Sequence, residues 1–187
     1  MNFILKRRYK IVVSGAALLN PCAPDAAEKT KEIGRQIARE NCILISGATT
    51  GIPYYAALGC KEEKGFSVGF SPASSEKSHI RTYRLPIDVF DVMIYTGSDY
   101  VGRDIIMTKA ADALIVVCGR MGTLHEFATA FEIQRPIGVL IGSGGMADKI
   151  KDLITGRIRE TKKIVFEKDP KRLVKKVISL IKKEKGR

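Results

Sequence analysis

Residues 113 to 126 have the sequence ALIVVCGRMGTLHE, and this stretch decides the fold. Its first six residues are apolar and rich in β-branched side chains, which predicts a buried strand. Two glycines follow, and beyond them Phe127, Ala130 and Phe131 recur at helical spacing. A strand that passes into a helix through a glycine-rich turn predicts an α/β sheet with a ligand site at that turn.

Further short apolar runs alternate with helical patterns along the chain. Several runs are apolar at nearly every position, which suits a sheet covered on both faces, and the alternation implies right-handed parallel crossovers. The sequence therefore predicts a Rossmann-like, doubly wound α/β sandwich with a mainly parallel sheet of about seven strands. The predicted strands are residues 10–14, 42–46, 66–70, 92–95, 113–118, 137–141 and 164–166.

The chain has 187 residues, and this length predicts one domain, residues 1–187, that buries its core without metals or disulfides. Neither His79 nor His125 lies beside a cysteine in the spacing of a zinc site, so we expect no metal, and we expect no cofactor. The cysteines are widely spaced and form no C-x-x-C pair, which predicts reduced core thiols. They are Cys22, Cys42, Cys60 and Cys118.

The amino-terminal segment favours a cytoplasmic protein. Its apolar trio, from Phe3 to Leu5, is far shorter than the roughly 7–15 residues of a signal-peptide core. No stretch of the sequence approaches the roughly 20 apolar residues of a membrane span. We therefore expect cytoplasmic localisation.

The net charge of +12 is concentrated in residues 168–187, which hold nine basic and two acidic residues. Their apolar residues recur at helical spacing, and Asp169 and Pro170 suit the N-cap and first position of an amphipathic helix over 170–185. We favour a docked terminal helix with a solvated lysine face. No aromatic residues lie among the lysines to stack on bases, which argues against nucleic-acid binding; a membrane-surface role is a third alternative.

Ligands of open parallel sheets bind at the carboxyl ends of the strands. Small and polar residues follow four predicted strands there, at 14–16, 46–51, 119–123 and 142–145. Polar residues 71–86 form either a lid or rim of this site or an idle surface loop. In the first two loops the candidate ligand-binding residues are Ser14, Gly15, Gly47, Ala48, Thr49 and Gly51.

The turn after residue 118 has the features of a phosphate site. Amide groups at a helix start attract anions, Gly119 and Gly122 let the backbone approach the phosphate oxygens, and the Thr123 hydroxyl can also donate. Arg120 adds a positive charge. Thr123 and Glu126 also have the spacing of a capping box, an arrangement that needs no ligand.

The same stretch resembles the Lonely Guy (LOG) family, a group once described as lysine decarboxylases, and its relatives among the molybdenum-cofactor carrier proteins. The family signature P-G-G-x-G-T-x-x-E is similar to C-G-R-M-G-T-L-H-E here. An upstream R-K-x-x-M element is similar to R-D-I-I-M, in the same register, and a G-G-G-x-x-G-L-M loop is similar to S-G-A-T-T-G-I-P. The matching residues are Gly119, Gly122, Thr123 and Glu126, then Arg103 and Met107, and the loop that begins at Ser46.

The resemblance implies a Rossmann-fold homodimer that binds a purine nucleotide or a related phosphate-bearing molecule. Hydrolysis of the N-glycosidic bond of a purine nucleoside 5′-monophosphate would release the base and ribose 5-phosphate. Arg103 would contact the phosphate or ribose, and Glu126 would stabilise the oxocarbenium-like sugar or activate water. Met107 and Met121 belong to the matching segments and are candidate ligand contacts.

Three residues depart from the family pattern. Cys118 replaces a proline, Arg120 replaces a glycine, and Asp104 replaces the lysine after Arg103. Arg120 either fills the space of the base or ribose or clamps the phosphate, and Asp104 can pair with Arg103. The departures resemble the carrier-like relatives more closely. Two functions follow: a nucleoside 5′-monophosphate phosphoribohydrolase, or a carrier or sensor of a nucleotide or molybdenum-cofactor-type ligand that does not cleave it.

Overall fold

The computed structural model describes residues 7–155 and 162–186, and in these residues seven strands of one sheet alternate with seven helices. The strands are β1 (Lys10–Gly15), β2 (Ile43–Ser46), β3 (Phe66–Ser71), β4 (Val92–Tyr95), β5 (Ala113–Val117), β6 (Ile137–Leu140) and β7 (Ile164–Glu167). The helices are α1 (Ala26–Arg39), α2 (Ile52–Glu62), α3 (Glu76–Arg81), α4 (Asp99–Ala110), α5 (Met121–Glu132), α6 (Ile150–Ile154) and α7 (Pro170–Glu184).

The strand order is β4-β3-β2-β1-β5-β6-β7, and every neighbouring pair is parallel. The chain winds outward from β1 to β4, and α4 then returns it to the centre, where β5 pairs with β1. This order confirms the predicted Rossmann-like α/β fold. Because the winding direction reverses between β1 and β5, a crevice opens at their carboxyl ends. There Ser14 pairs with Val116 and Gly15 with Val117.

Alternate side chains of β5 enter two different cores. Ile115 and Val117 pack with α1, α2 and α7 on one face, while Leu114 and Val116 pack with α4, α5 and α6 on the other. All four side chains are buried. A buried aliphatic side chain contributes about 1.5–3 kcal/mol, so the apolar run fixes β5 at the centre of the sheet and the turn after it at the crevice.

Helix α7 closes one face of the sheet with its apolar side. The backbone N–H of Arg172 donates to Asp169 Oδ1 at 2.7 Å, and Pro170 is the first helical residue. The lysines lie on the exposed side of the helix. Its buried residues are Leu173, Val174, Val177, Ile178 and Ile181.

Residues 71–86 are not the irregular stretch that the sequence predicted, because they contain α3. The N–H of Ser78 donates to Ser75 Oγ at 3.2 Å and so caps this helix. His79 is fully buried, with Nδ1 2.8 Å from Ser71 Oγ and Nε2 3.1 Å from the Pro86 carbonyl. The histidine therefore ties both ends of the segment together.

The prediction of four reduced thiols is wrong for two of them. Cys22 and Cys118 form a disulfide across 96 residues, with their Cα atoms 5.3 Å apart. The loop after β1 crosses the end of β5, a contact between distant segments that cysteine spacing does not indicate. Cys42 and Cys60 are free and buried, and burial raises the pKa of each thiol to about 11.

Candidate functional site

A cavity of about 300 Å³ lies at the carboxyl ends of β1 and β5, where the winding of the sheet reverses. Its volume is in the range of small-molecule sites. The loops after β1, β2 and β5 and the side chains of α4 and α5 form its wall. The predicted site residues that line it are Ser14, Gly15, Gly47, Thr49, Arg103, Arg120, Gly122, Thr123 and Glu126.

Five predicted ligand-binding residues lie outside the cavity lining. Met107 is fully buried in the core beneath α4 and α5, and Ala48 is fully buried behind its loop. Met121 is 69% exposed at the surface. Gly51 and Gly119 have φ angles of +68° and +93° and shape the two turns. A direct ligand contact for these five residues stays a prediction from the sequence.

Glu126 is held in the cavity wall by a residue from the opposite side of the crevice. The Ser14 hydroxyl at the end of β1 donates to Glu126 Oε2. The Glu126 side chain is on α5 and is only 7% exposed. Burial, and second the charge of Asp104, raise the pKa of Glu126 to about 7. The carboxyl group therefore carries a proton much more readily than an ordinary glutamate does.

The Arg103 guanidinium is fixed by backbone carbonyls from two loops. Its Nη1 donates to the Gly47 carbonyl and, at 2.9 Å, to the Phe70 carbonyl. A Cβ atom on residue 47 would collide with the same guanidinium, so a larger residue there would force Arg103 to move. The Tyr100 ring lies 5.8 Å from the guanidinium carbon, at cation–π distance.

Asp104 adds a second carboxyl group beside Glu126. Arg103 Nε lies 3.1 Å from Asp104 Oδ1, as an ion pair whose angle does not satisfy a hydrogen bond. His125 Nδ1 lies 3.4 Å from Asp104 Oδ2. Burial raises the pKa of Asp104, and the neighbouring Arg103 and His125 oppose that rise.

The predicted capping box at the start of α5 does not form. The helix begins at Met121 with Arg120 as its N-cap, so Thr123 is already the third helical residue, and the structure shows no hydrogen bond between its hydroxyl and Glu126 among the described residues. Thr123 and Glu126 are both buried in the cavity wall instead. Arg120 is extended, and its Nη2 donates to Asn20 Oδ1 at 2.6 Å.

The loop at 142–145, a fourth candidate from the sequence, supports the turn after β5 instead. The Asp148 carboxylate accepts hydrogen bonds from the amides of Gly142 at 2.6 Å and Gly144 at 2.9 Å. These two amides therefore already bind a carboxylate of the protein. Ser143 Oγ accepts from Cys118 N at 2.8 Å, and Gly119 O accepts from Met146 N at 2.9 Å.

A family model for the SLOG cluster4 family matches residues 8–174. This chain belongs to the SLOG cluster4 family. An uncharacterised protein of Archaeoglobus fulgidus is 27% identical over 131 residues, which cover 70% of this chain and 81% of that protein.

Two solved structures are similar to this SLOG cluster4 protein over nearly its whole length. The structural-genomics target TM1055 has a TM-score of 0.78 at 22% identity, and the match covers 91% of this chain and 98% of that one. The molybdenum cofactor carrier protein of Chlamydomonas reinhardtii has a TM-score of 0.73 at 26% identity, with 94% and 99% covered. The first likeness supports the fold alone.

Among the cavity residues that the sequence did not predict as site residues, two have polar side chains, Tyr100 and Asp104. Tyr100 lies three positions before Arg103, a spacing that places two helical side chains side by side, so helical periodicity offered a signal. The sequence showed Asp104 as a departure from the LOG pattern and as a partner of Arg103, but not as a residue of the cavity wall.

Residues 7–155 and 162–186 of this SLOG cluster4 protein contain neither a membrane-spanning helix nor a metal-binding cluster. No helix there is both long and apolar enough to span a membrane. The same described ranges contain no cluster of three or more metal-ligating side chains placed to hold an ion.

Proposed function

We propose that this SLOG cluster4 protein binds a purine nucleotide or a related phosphate-bearing small molecule, such as a molybdenum-cofactor-type ligand, and holds it without cleaving it. One observation carries the proposal: Gly122 and Thr123 at the amino end of α5 face the same cavity as Arg103 and Arg120. Helix-start amides and guanidinium groups are the donors that bind phosphate.

The protonation of Glu126 argues against a role as the carboxylate that stabilises an oxocarbenium-like sugar. A carboxyl group stabilises an oxocarbenium-like sugar only when it is ionised, and the burial of Glu126 beside Asp104 favours its protonated form. Similarity to a protein named as a carrier, at 26% identity over 94% of this chain, supports holding without cleavage.

Calorimetric titration with AMP, GMP and ribose 5-phosphate tests this function. We expect saturable binding that weakens when Thr123→Val removes the hydroxyl donor, with intact nucleotide recovered afterwards. Ser74→Ala, on an exposed loop outside the cavity lining, is the matched control. Failure of all three probes to bind, at protein concentrations that would detect millimolar affinity, would refute the proposal.

Hydrolysis of the N-glycosidic bond is the second candidate, because Glu126 faces the cavity with a pKa near neutrality. Such a group can donate a proton to the departing base while water adds to the sugar carbon. Chromatography of AMP incubations would then show adenine and ribose 5-phosphate in equal amounts, and Glu126→Gln would abolish both. The observations do not extend to lysine decarboxylation.

We also propose that the protein is a homodimer. Apolar side chains are exposed around the surface of α4 and the start of α5, and a second copy would cover them. Light scattering of the wild type should give twice the chain mass, and Val101→Asp should give the monomer. The exposed side chains are Tyr100, Val101, Ile105, Ile106 and Met121.

A further inference from the structure

We propose that Asp104 and Glu126 share one proton in the free protein, and that this proton sets the charge that the cavity presents to a phosphate. The part that concerns phosphate rests on the proposed function. The shared proton itself is a property of the unliganded protein, so it can be tested without any ligand.

Both carboxyl groups lie in the wall of the same cavity, and little of either side chain is exposed. Asp104 is 6% exposed and Glu126 is 7% exposed, and both line the same cavity from neighbouring helices, α4 and α5. At such low exposure, water solvates the two carboxylates less fully than it solvates carboxylates at the surface. Two buried carboxylates that share a site ionise at widely separated pH values, because the first charge opposes the second.

The groups nearest the pair provide one fixed positive charge, and the exposed Arg120 adds a second one to the same cavity wall. From α4, Arg103 Nε lies 3.1 Å from Asp104 Oδ1, and from α5, His125 Nδ1 lies 3.4 Å from Asp104 Oδ2. His125 adds charge only in its imidazolium form. From β1 the neutral Ser14 hydroxyl donates to Glu126, and the loop after β2 contributes the uncharged residues 47 and 49.

This arrangement favours one proton on the pair. With one proton, the single negative charge of the pair balances the Arg103 guanidinium. Without it, the pair carries two negative charges beside one buried guanidinium, which is costly even though the exposed Arg120 lies in the same wall. The pKa values of both carboxyl groups are raised, with burial as the largest cause for each.

The shared proton affects how strongly the cavity binds an anion. While the pair keeps it, a phosphate meets the amides of α5 and the positive charge of Arg120 at the cavity wall. Once it is lost to solvent, the wall holds one more negative charge beside the phosphate, which weakens the attraction of the wall for an anion. Binding of a phosphate at a pH where the pair is ionised is therefore coupled to the uptake of up to one proton.

Asp104 is the residue that makes this charge titratable. The LOG pattern has a lysine at this position, and a lysine would supply a positive charge where this chain has a carboxyl group. Asp104 therefore sets the charge of the cavity wall. A merely structural role would change neither the titration midpoint of Glu126 nor the proton uptake on binding.

Carbon-detected NMR of the free wild-type protein, labelled at the side-chain carboxyl carbons, tests the shared proton directly. We expect one proton to leave the pair near neutral pH, with both resonances shifting together. Asp104→Asn should lower the midpoint of Glu126, and Glu126→Gln that of Asp104, each by about one unit or more. Asp152→Asn, on an exposed part of α6, is the control. Full ionisation of both groups at mildly acidic pH would overturn the inference. So would a titration midpoint of either carboxyl group that stays unchanged when the other residue is substituted.

Calorimetry with ribose 5-phosphate in buffers of different ionisation enthalpy tests the consequence. Above pH 7 we expect the wild type to take up about one proton more per bound ligand than Asp104→Asn does. Comparison with the variant cancels the phosphate's own proton, whose pKa is about 6. Binding with equal proton uptake in both proteins would overturn the inference alone. Absence of binding would refute the proposed function for this probe and the charge-setting role, while NMR still decides the shared proton.

Discussion

The Ser14 hydroxyl donates a hydrogen bond to the Glu126 carboxyl group, and this contact joins β1 to α5 across the point where the winding of the sheet reverses. The two residues are 112 positions apart in the sequence. Because Ser14 stabilises the charged form of Glu126, it opposes the effects of burial and of Asp104 on the same carboxyl group.

Ser14→Ala should raise the pKa of Glu126 further, since the variant loses a donor to the carboxylate. The free energy of unfolding should fall by about 1 kcal/mol, as is typical for one lost hydrogen bond. Carbon-detected NMR and urea unfolding measure the two effects. Ser74→Ala should change neither, and a lower pKa for Glu126 in Ser14→Ala would be inconsistent with the contact.

Glu126→Gln should remove a pH dependence of stability. The pKa of Glu126 is about 7 in the folded protein against an ordinary value of 4.5, so its protonation stabilises the fold fully below the ordinary value. This contribution is lost as the pH rises through about 7. Each pKa unit corresponds to about 1.4 kcal/mol, so the variant should gain about 3 kcal/mol relative to wild type across this range.

Urea unfolding at a series of pH values measures that difference. Glu132→Gln, at the exposed end of the same helix, is the matched control and should follow the wild type. A constant difference between Glu126→Gln and the wild type at all pH values would contradict the raised pKa.

Reduction of the Cys22–Cys118 disulfide should destabilise the protein. The bond closes a loop across 96 residues, for which chain entropy predicts about 4 to 5 kcal/mol. Urea unfolding with and without dithiothreitol measures the effect. The double variant Cys22→Ala, Cys118→Ala should be insensitive to the reductant, whereas Cys60→Ala should keep the wild-type response. An unchanged free energy of unfolding of the wild type in dithiothreitol would contradict the presence of the disulfide.

Replacement by alanine at two glycines of the cavity wall should change the stability of the protein in opposite directions. Gly47→Ala places a Cβ atom against the Arg103 guanidinium and should lower both stability and ligand affinity. At Gly122 a Cβ atom meets none of the described residues within 4 Å, so Gly122→Ala should gain up to about 1 kcal/mol from helix propensity. The added methyl group should still weaken phosphate binding. Thermal unfolding measures the stability of each variant, and calorimetry measures its affinity for phosphate. An equal change of stability in the two variants would contradict the geometry.

The sequence predicts the sheet well because its signals are local. Each central strand is a short apolar run, and apolar runs between helical patterns indicate buried parallel strands. The predicted segments match all seven strands to within one residue at each end. Much of the cavity follows as well, since the carboxyl ends of neighbouring strands must meet at one edge.

The features that the sequence did not predict depend on tertiary contacts. Cys22 meets Cys118 only because a loop crosses the sheet, and cysteine spacing contains no such information. The spacing of Thr123 and Glu126 suited a capping box, but α5 begins earlier, and the Glu126 carboxyl group contacts Ser14 from another element. The pairing of Asp104 with Glu126 likewise depends on how α4 packs beside α5.

A crystal structure of the protein soaked with AMP is the most direct test of the central claim. We predict that the phosphate lies against the amides of Gly122 and Thr123, that Glu126 faces the bound nucleotide, and that the N-glycosidic bond is intact. An empty cavity at saturating AMP, a phosphate bound elsewhere on the molecule, or ribose 5-phosphate alone in the cavity would contradict the account.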